Sequence, residues 1–297
     1  MTDTPQPQEI HVTIDGLRYA GLAWGPVDGL PVLALHGWLD HAGSFAALAP
    51  HLTGCRTVAL DLSGQGRSAH RSPDASYNLW DDLPQIAGIL DALGWDSCVL
   101  LGHSRGANIG TLFAAAQPHR VRALVALDSL VPVPTPPEAV VDTLRGFIED
   151  TRKQAGKSPR RYTSPEDYVT RRTGRRNSAA TARALARRAL REDADGFRLR
   201  ADRRLFASSA VKFSQSQIEA LLKALTMPVL NIWATDGIRA EAPWADTAIA
   251  RAAQLIPDYQ TREIDGDHHV HLDPDSAGRI ADLILVFLHE KIGHTPD

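Results

Sequence analysis

One stretch of the chain has the residue types and the spacing of a nucleophilic site. Gly102, Ser104 and Gly106 form a Gly-x-Ser-x-Gly pattern that follows an apolar run and precedes a helix-forming run. A sharp turn from strand to helix lifts such a serine clear of the sheet, and the flanking glycines are needed because a Cβ there would clash. The N–H groups that open the following helix can then stabilise an oxyanion. The pattern therefore predicts that Ser104 is a nucleophile.

A serine hydroxyl is a weak nucleophile, so it needs a base, and the base needs a third group that orients it. The candidate base is His268, in the histidine-rich segment 264–272 after the last predicted strand. Three histidines beside aspartates are also compatible with a metal site, but neither His-Glu-x-x-His nor His-x-His occurs upstream. We therefore expect no metal and no cofactor, and we interpret His269 and His271 as residues that pack or hydrogen-bond to shape the loop.

The elements that must position these residues alternate between strand and helix patterns. Two antiparallel strands are predicted at residues 9–14 and 17–24, around the hairpin turn Asp15-Gly16. Alternation of short apolar strands with helices implies a mostly parallel sheet covered by helices on both faces. The strands are predicted at residues 32–35, 57–60, 97–101, 123–127, 229–232 and about 260–264, and the helices near 44–51, 79–93, 108–117, 242–255 and 276–289.

One segment interrupts this alternation. After the strand that ends near Asp128, a proline-rich run leads into a stretch whose patterns are almost wholly helical. We predict a helical cap at residues 132–225, inserted into an α/β core of residues 9–131 and 226–297, after a disordered tail at residues 1–8. The cap is rich in arginine, but acidic residues are interleaved with the arginines, so we interpret them as solvated helix faces.

Composition excludes several classes of protein. Of the 297 residues, 43% are hydrophobic and 23% are charged, which is typical of a soluble globular domain. The net charge of −3 argues against nucleic acid as the main partner. The two cysteines, Cys55 and Cys98, lie in or next to apolar segments and do not indicate a disulfide framework. No signal peptide or membrane-spanning run is recognisable, so we expect a cytoplasmic protein that acts on a small molecule without a membrane partner. The oligomeric state stays open.

Four motifs, in their order and spacing, resemble the α/β-hydrolase fold superfamily. The motifs are His36-Gly37-Trp38-Leu39-Asp40, Asp61-x-x-Gly64-x-Gly66-x-Ser68, Gly102-His103-Ser104-x-Gly106 and Gly266-x-His268-His269-Val270-His271. Within the superfamily, the chain resembles the serine hydrolase-like protein branch in three places together. These are the residues after the first motif, the segment 196–205 of the cap and the histidine-rich loop.

The resemblance implies an α/β-hydrolase fold and a catalytic acid that precedes the histidine in the chain. It also supports His268 as the base, because the first histidine of the corresponding loop has that role in the superfamily. We favour Asp236 as the acid, since it ends the apolar strand that follows the cap. Asp128, at the end of the strand that follows Ser104, is the alternative, because the branch does not uniformly keep an acid at the position of Asp236.

The first and third motifs also supply the remaining expected site residues. Two backbone donors are needed for the oxyanion, and we expect them to be the N–H groups of Arg105 and Trp38. We expect His36, Gly37 and His103 to lie at the substrate.

The resemblance implies a serine hydrolase. Our leading hypothesis is cofactor-free cleavage of a small carboxylic ester, or of a related lactone or thioester, through a Ser104 acyl-enzyme, with a cap that closes over the acyl group. Two alternatives are carried with it. One is a carbon–carbon bond hydrolase of the same fold, and the other is a ligand-binding receptor that turns over slowly.

Overall fold

The computed structural model describes residues 6–174 and 177–295. Most of the predicted tail, residues 1–5, lies outside the described residues, and Gln8 already belongs to the first strand. None of the described helices is long and apolar enough to cross a membrane. The strands are β1 (Gln8–Ile14), β2 (Leu17–Trp24), β3 (Leu30–Leu35), β4 (Cys55–Leu60), β5 (Cys98–His103), β6 (Val121–Leu127), β7 (Arg161–Tyr162), β8 (Leu190–Asp193), β9 (Gly196–Leu199), β10 (Val229–Asp236) and β11 (Tyr259–Asp267). The α-helices are α1 (Leu83–Ala92), α2 (Arg105–Ala116), α3 (Val140–Gln154), α4 (Pro165–Arg172), α5 (Ala179–Ala189), α6 (Gln215–Lys223), α7 (Ile238–Glu241), α8 (Trp244–Leu255) and α9 (Pro274–Ile292).

The central sheet is mostly parallel, as predicted. Its strand order is β1-β2-β4-β3-β5-β6-β10-β11; β1 and β2 are antiparallel to their neighbours, and the six other strands run parallel to one another. The predicted hairpin is confirmed, because β1 and β2 meet at Asp15 and Gly16, whose φ angles are 50° and 78°. Positive φ at both residues is the conformation that a two-residue type I′ turn requires.

Helices cover both faces of the sheet. On one face α1, α2, α6 and α8 bury an apolar cluster that includes Leu33, Leu100 and Leu124. On the other face α9 and two short 3-10 turns, Ala42–Phe45 and Ala49–His51, pack against a second cluster that includes Val99 and Val125. Because both faces are buried, the central strands are almost continuously apolar, which is why they are recognisable in the sequence.

The cap lies between β6 and β10, but it is not wholly helical. It combines α3, α4 and α5 with a small antiparallel sheet of order β7-β9-β8, and residues between Tyr162 and Leu205 form an apolar cluster of their own. The predicted end of the cap at residue 225 is too late, because Ile218 and Leu222 of α6 pack in a core cluster of the main domain. The helix periodicity of α6 was recognisable, whereas its packing partners depend on the tertiary fold.

Buried polar contacts hold the cap on the core. The Arg188 guanidinium of α5 donates through Nε to both carboxylate oxygens of Asp61, at 2.9 and 2.8 Å. His41 Nε2–H donates to the Leu185 carbonyl at 2.7 Å. Burial lowers the pKa of His41 to about 4, so this histidine is neutral at neutral pH. The cap is therefore fixed by specific hydrogen bonds in addition to apolar packing.

The first turn of α2 approaches β3 so closely that it requires glycine. A Cβ on Gly106 would lie 1.9 Å from the Leu35 carbonyl oxygen, which belongs to the backbone and cannot move away cheaply. We therefore expect Gly106→Ala to lower the free energy of unfolding by about 1–3 kcal/mol or more. The matched control is Gly278→Ala in α9, where nothing lies within 4 Å of the added Cβ. That change should raise the free energy of unfolding by about 0.5–1 kcal/mol, because alanine is the better helix former. Urea denaturation measures both, and equal effects of the two changes would contradict the proposed clash.

Candidate active site

Ser104 occupies a strained turn between β5 and α2. Its backbone has φ 53° and ψ −117°, a conformation that residues with a Cβ rarely adopt. A Cβ on Gly102 would lie 2.5 Å from the Ala107 Cα atom, so the turn is closed too tightly for a larger residue. The Ser104 N–H donates to the Leu127 carbonyl at 3.0 Å, which ties the turn to the neighbouring strand β6. The predicted strand–serine–helix turn is confirmed.

Ser104 and His268 line the same cavity between core and cap, which has a volume of about 480 Å³. The core contributes residues 37–40, Ser104, His268 and His269 to its wall. The cap contributes Arg160, Tyr162, Tyr168, Arg171, Arg172, Asn177 and Leu199. The structure therefore brings the predicted nucleophile and the predicted base to one site.

The His268 side chain is oriented by a buried carboxylate. Its Nδ1–H donates to Asp128 Oδ2 at 2.6 Å. This bond fixes the neutral tautomer in which Nε2 carries the lone pair, as a general base requires. Among the described residues no hydrogen bond joins Ser104 Oγ to His268. In free enzymes such bonds are often long and tighten only when substrate binds.

The partner of His268 is Asp128, so our preference for Asp236 is wrong on this point. Asp128 follows β6, which lies between β5 and β10 in the sheet, and its carboxylate is buried beside His268. Asp236 is exposed at the end of β10, where its backbone pairs with that of Asp267. Both aspartates end apolar strands, and the strand of Asp236 is the one adjacent to β11, so strand order alone does not single out Asp128. The deciding observation is the contact itself, because the buried carboxylate that reaches His268 is that of Asp128.

The loop after β10 closes around the Asp128 carboxylate. The N–H groups of Ala234 and Ile238 donate to its two oxygens at 3.1 and 2.8 Å. A Cβ on Gly237 would lie 2.3 Å from Asp128 Oδ2, so the glycine after Asp236 makes room for the other aspartate. The strand-then-acid pattern at residues 229–236 thus identified the right loop and the wrong carboxylate.

The two backbone N–H groups predicted as oxyanion donors, those of Arg105 and Trp38, form no hydrogen bond among the described residues. Arg105 is the first residue of α2, so its N–H has no acceptor one turn earlier in the helix. Trp38 lines the cavity, and within residues 6–174 and 177–295 its backbone N–H has no hydrogen-bond acceptor. The N–H of the next residue, Leu39, donates to Gln65 Oε1 at 2.7 Å. This bond helps to hold Leu39 in a left-handed backbone conformation with φ 59°. The oxyanion hole stays a prediction that this geometry supports.

The Trp38 side chain fastens the cavity loop to the cap. Its indole Nε1–H donates to the Leu205 carbonyl at 2.9 Å, and its ring packs edge-on against Phe206 with centroids 5.3 Å apart. The side chain is 47% exposed, although it lines the cavity. It therefore serves as a cap anchor as well as a part of the wall.

Of the three residues predicted at the substrate, only Gly37 lines the cavity. His36 is buried behind it, where its Nδ1–H donates to the Gly37 carbonyl at 2.8 Å and its Nε2 accepts the Leu62 N–H at 2.9 Å. Burial lowers the pKa of His36, which keeps this cross-link neutral. His103 is also buried, and its Nε2–H donates to the carbonyl of His268 at 2.7 Å. Both histidines support the site from behind, because they face the core.

Asp40 is a buried carboxylate whose role the sequence analysis missed. It accepts hydrogen bonds from Arg172 of α4 and from His269 Nε2, the latter at 2.9 Å, and His103 Nδ1 lies 3.6 Å away. Burial by itself would raise the pKa of Asp40, but the neighbouring charges of His269 and Arg172 hold that pKa well below its usual value. Asp40 therefore links the cap to the loop that contains His268. The sequence showed an acid in the first motif and an arginine-rich cap, but no pattern indicated which arginine pairs with Asp40.

The ligand atoms of Asp40, His103 and His269 lie within 4.8 Å of one another, which is close enough for a metal ion. The Asp40 carboxylate is already engaged by the Arg172 guanidinium and by His269, and a second cation beside a buried guanidinium would be repelled. We interpret the group as a hydrogen-bonded cluster. His271 packs beside it, with its ring 4.2 Å from that of His103 and 5.4 Å from that of Phe45.

Comparison with known proteins agrees with this geometry. The family model described as alpha/beta hydrolase fold matches residues 31–275. The chain belongs to the α/β-hydrolase family. It is 30% identical over 287 residues to a serine hydrolase-like protein of Danio rerio, covering 91% of this chain and 85% of that protein. It is also 30% identical to serine hydrolase-like protein 2 of Homo sapiens, with coverage of 94% and 93%.

A solved structure is similar over nearly the whole chain. The crystal structure of a hypothetical protein from Pseudomonas aeruginosa superposes with a TM-score of 0.88 at 33% sequence identity, covering 95% of this chain and 99% of that chain. The likeness confirms the α/β-hydrolase fold, and the relatives place the chain in the serine hydrolase-like branch. They support hydrolase activity without identifying a substrate.

The assignment of the acid can be tested with a pair of isosteric changes. Asp128→Asn removes the charge that stabilises the protonated histidine and favours the wrong tautomer, so we expect kcat to fall by about 10³–10⁴-fold. Asp236→Asn, at the exposed end of the next strand, should change kcat by less than about twofold, since the carboxylate does not touch the histidine. Steady-state hydrolysis of a p-nitrophenyl ester measures both. A larger loss in Asp236→Asn would return the role to that residue.

The buried ion pair at Asp40 predicts a pH-dependent effect on stability. Asp40→Asn leaves Arg172 without its charge partner, and we expect the free energy of unfolding at pH 7 to fall by about 3 kcal/mol. Because the pKa of Asp40 is lowered by folding, the stability from its carboxylate is present above the unfolded pKa and is lost as pH falls through the folded pKa. The difference between wild type and variant should therefore shrink in acid. Asp167→Asn, which breaks the more exposed pair with Arg171, should lower the free energy of unfolding far less than Asp40→Asn does, and equal losses would contradict the argument.

Proposed function

We propose that the protein is a serine hydrolase that cleaves small carboxylic esters, or related lactones or thioesters, through an acyl-enzyme on Ser104. The observation that carries the proposal is that a strained serine and a histidine oriented by a buried aspartate line one cavity. A volume of about 480 Å³ lies within the range of small-molecule sites. The proposal also places the protein in the cytoplasm, in line with its composition.

The proposed reaction has two halves, acylation and deacylation of Ser104, and the same groups act in both. Ser104 Oγ attacks the substrate carbonyl carbon while His268 Nε2 accepts the hydroxyl proton, and the Asp128 carboxylate stabilises the imidazolium that forms. The N–H groups of Trp38 and Arg105 bind the oxyanion of the tetrahedral intermediate. His268 then protonates the leaving alcohol or thiol as its bond to carbon breaks. In the second half His268 deprotonates water, which attacks the acyl carbon. His268 then returns the proton to Ser104 Oγ as the acyl–oxygen bond breaks, so the acid is released and both residues regain their starting forms.

The residues behind the cavity prepare it for this chemistry. His103 holds the main chain of His268, and Asp40 holds the adjacent His269, so the base is fixed from two sides. A base whose position is fixed loses little entropy when substrate binds, which favours proton transfer. The tight turn at Ser104 has the same effect on the nucleophile.

The nucleophile can be tested with a fluorophosphonate probe, which forms a covalent bond only with an activated serine. We expect the wild-type protein to be labelled at Ser104 and to hydrolyse p-nitrophenyl butyrate, with an acyl adduct on Ser104 trapped by rapid acid quench and detected by mass spectrometry. Ser104→Ala should abolish both the probe labelling and the acyl adduct, since the variant lacks the hydroxyl that forms the covalent bond. Ser216→Ala, on the exposed surface of α6, is the matched control and should behave like wild type.

The outcomes separate the competing functions. Folded wild-type protein that is not labelled would contradict a hydrolase and favour a ligand-binding receptor. Labelling of Ser104 without hydrolysis of esters, lactones or thioesters would contradict the ester substrate and favour carbon–carbon bond cleavage by the same residues.

A further inference from the structure

Among the described residues, the cap places three arginines in the wall of the active-site cavity, and their charges are compensated unequally. Arg172 is paired with buried Asp40. Arg171 donates through Nε to Asp167 Oδ1 at 2.6 Å. Arg160 also lines the cavity, but among the described residues its guanidinium forms neither an ion pair nor a hydrogen bond. One cationic group at the cavity is thus left without a protein partner.

The other polar groups of the wall do not supply an anion for Arg160. Asp40 is the only acidic residue among the described residues that line the cavity, and its carboxylate is already shared between Arg172 and His269. Tyr162, which lies beside Arg160 in the wall, has a hydroxyl with no partner in the described parts of the chain. The positive charge of the wall is therefore open to an anion that enters the cavity from solvent.

The two paired arginines give this wall a fixed shape. The Arg171 guanidinium lies 5.6 Å from the centre of the Tyr162 ring, and that of Arg172 lies 5.9 Å from the centre of the Tyr168 ring. Arg172 also donates to the Leu39 carbonyl and to the Tyr168 hydroxyl, at 3.0 and 3.1 Å. Because their guanidinium groups are held by these contacts, Arg160 is the cation best able to meet a ligand.

We propose that this cavity selects substrates that carry a carboxylate on the part remote from the scissile carbonyl, and that Arg160 is the residue that determines this specificity. The proposal rests on the proposed function. A guanidinium binds a carboxylate through two parallel N–H···O bonds, and Arg160, which is exposed at the cavity, is free to form them. A neutral alkyl chain of equal length can pack on apolar side chains of the wall such as Leu39 and Leu199, but it forms no ion pair there.

A pair of substrates of equal chain length tests the proposal. Mono-p-nitrophenyl adipate and p-nitrophenyl hexanoate share a six-carbon acyl chain and a leaving group, and they differ in the terminal carboxylate. We expect the wild-type ratio of kcat/KM, adipate over hexanoate, to be at least about tenfold, and to fall as salt is raised. Arg160→Gln should reduce this ratio by about tenfold, mainly through the KM of the adipate ester, and Arg160→Lys should restore part of it.

Arg161→Gln is the matched control. Arg161 is the next residue in the chain, but its guanidinium pairs with Asp193 at 3.0 Å and with Asp195 at 3.4 Å, and it does not line the cavity. This variant changes the net charge by the same amount as Arg160→Gln, so it should keep the wild-type ratio. Equal loss in the two variants would show a general effect of charge and would overturn the role of Arg160.

A binding measurement separates this proposal from the proposed function. Ser104→Ala protein, checked for folding by circular dichroism, is titrated calorimetrically with monomethyl adipate and with methyl hexanoate. Tighter binding of the adipate ester, lost in Ser104→Ala combined with Arg160→Gln, supports the anion site even if the wild-type enzyme hydrolyses neither ester. Hydrolysis of both esters at the same kcat/KM, or an unchanged ratio in Arg160→Gln, overturns the anion site and leaves the hydrolase intact.

Discussion

Neighbouring parallel strands end at the same edge of the sheet, and this constraint places every candidate catalytic residue. Ser104 follows β5, Asp128 follows β6 and His268 follows β11, and these strands lie within five adjacent positions of the order β3-β5-β6-β10-β11. Because the carboxyl ends of parallel strands point the same way, residues far apart in the chain meet at one rim. The loops at that rim can vary, while the apolar strands beneath them hold their spacing.

Buried carboxylates give this rim its electrostatic organisation. Asp128 accepts hydrogen bonds from two backbone N–H groups and from the imidazole of His268, so both oxygens of this buried carboxylate have partners. Asp40 and Asp61 are instead paired with arginines of the cap, Arg172 and Arg188. A buried charge without a partner is costly, so each of these aspartates favours one arrangement of its surroundings. Asp128 thus orients His268, and the two other carboxylates secure the cap.

The cap forms the part of the cavity wall that we expect to select the substrate. The core part of the cavity wall carries Ser104, His268 and Trp38, for which we propose catalytic roles, whereas arginines and tyrosines of the cap make up much of the rest. A division of this kind allows the substrate to change through the insertion without a change in the catalytic residues. It also explains why relatives that share the core need not share a substrate.

Local pattern was sufficient for the parts of this protein that depend on neighbouring residues. The Asp15-Gly16 hairpin, the apolar strands and the glycine-flanked serine follow from backbone geometry over a few residues, and His268 could be found from its loop. The tertiary structure decided between Asp128 and Asp236, because both end apolar strands and only the contacts beyond the ends of those strands show that the Asp128 carboxylate meets the histidine. It also decided the pairing of Asp40 with Arg172, the strands within the cap and the place of α6 in the core. These features depend on contacts between residues that are distant in the chain, and a single sequence carries no record of which distant residues touch.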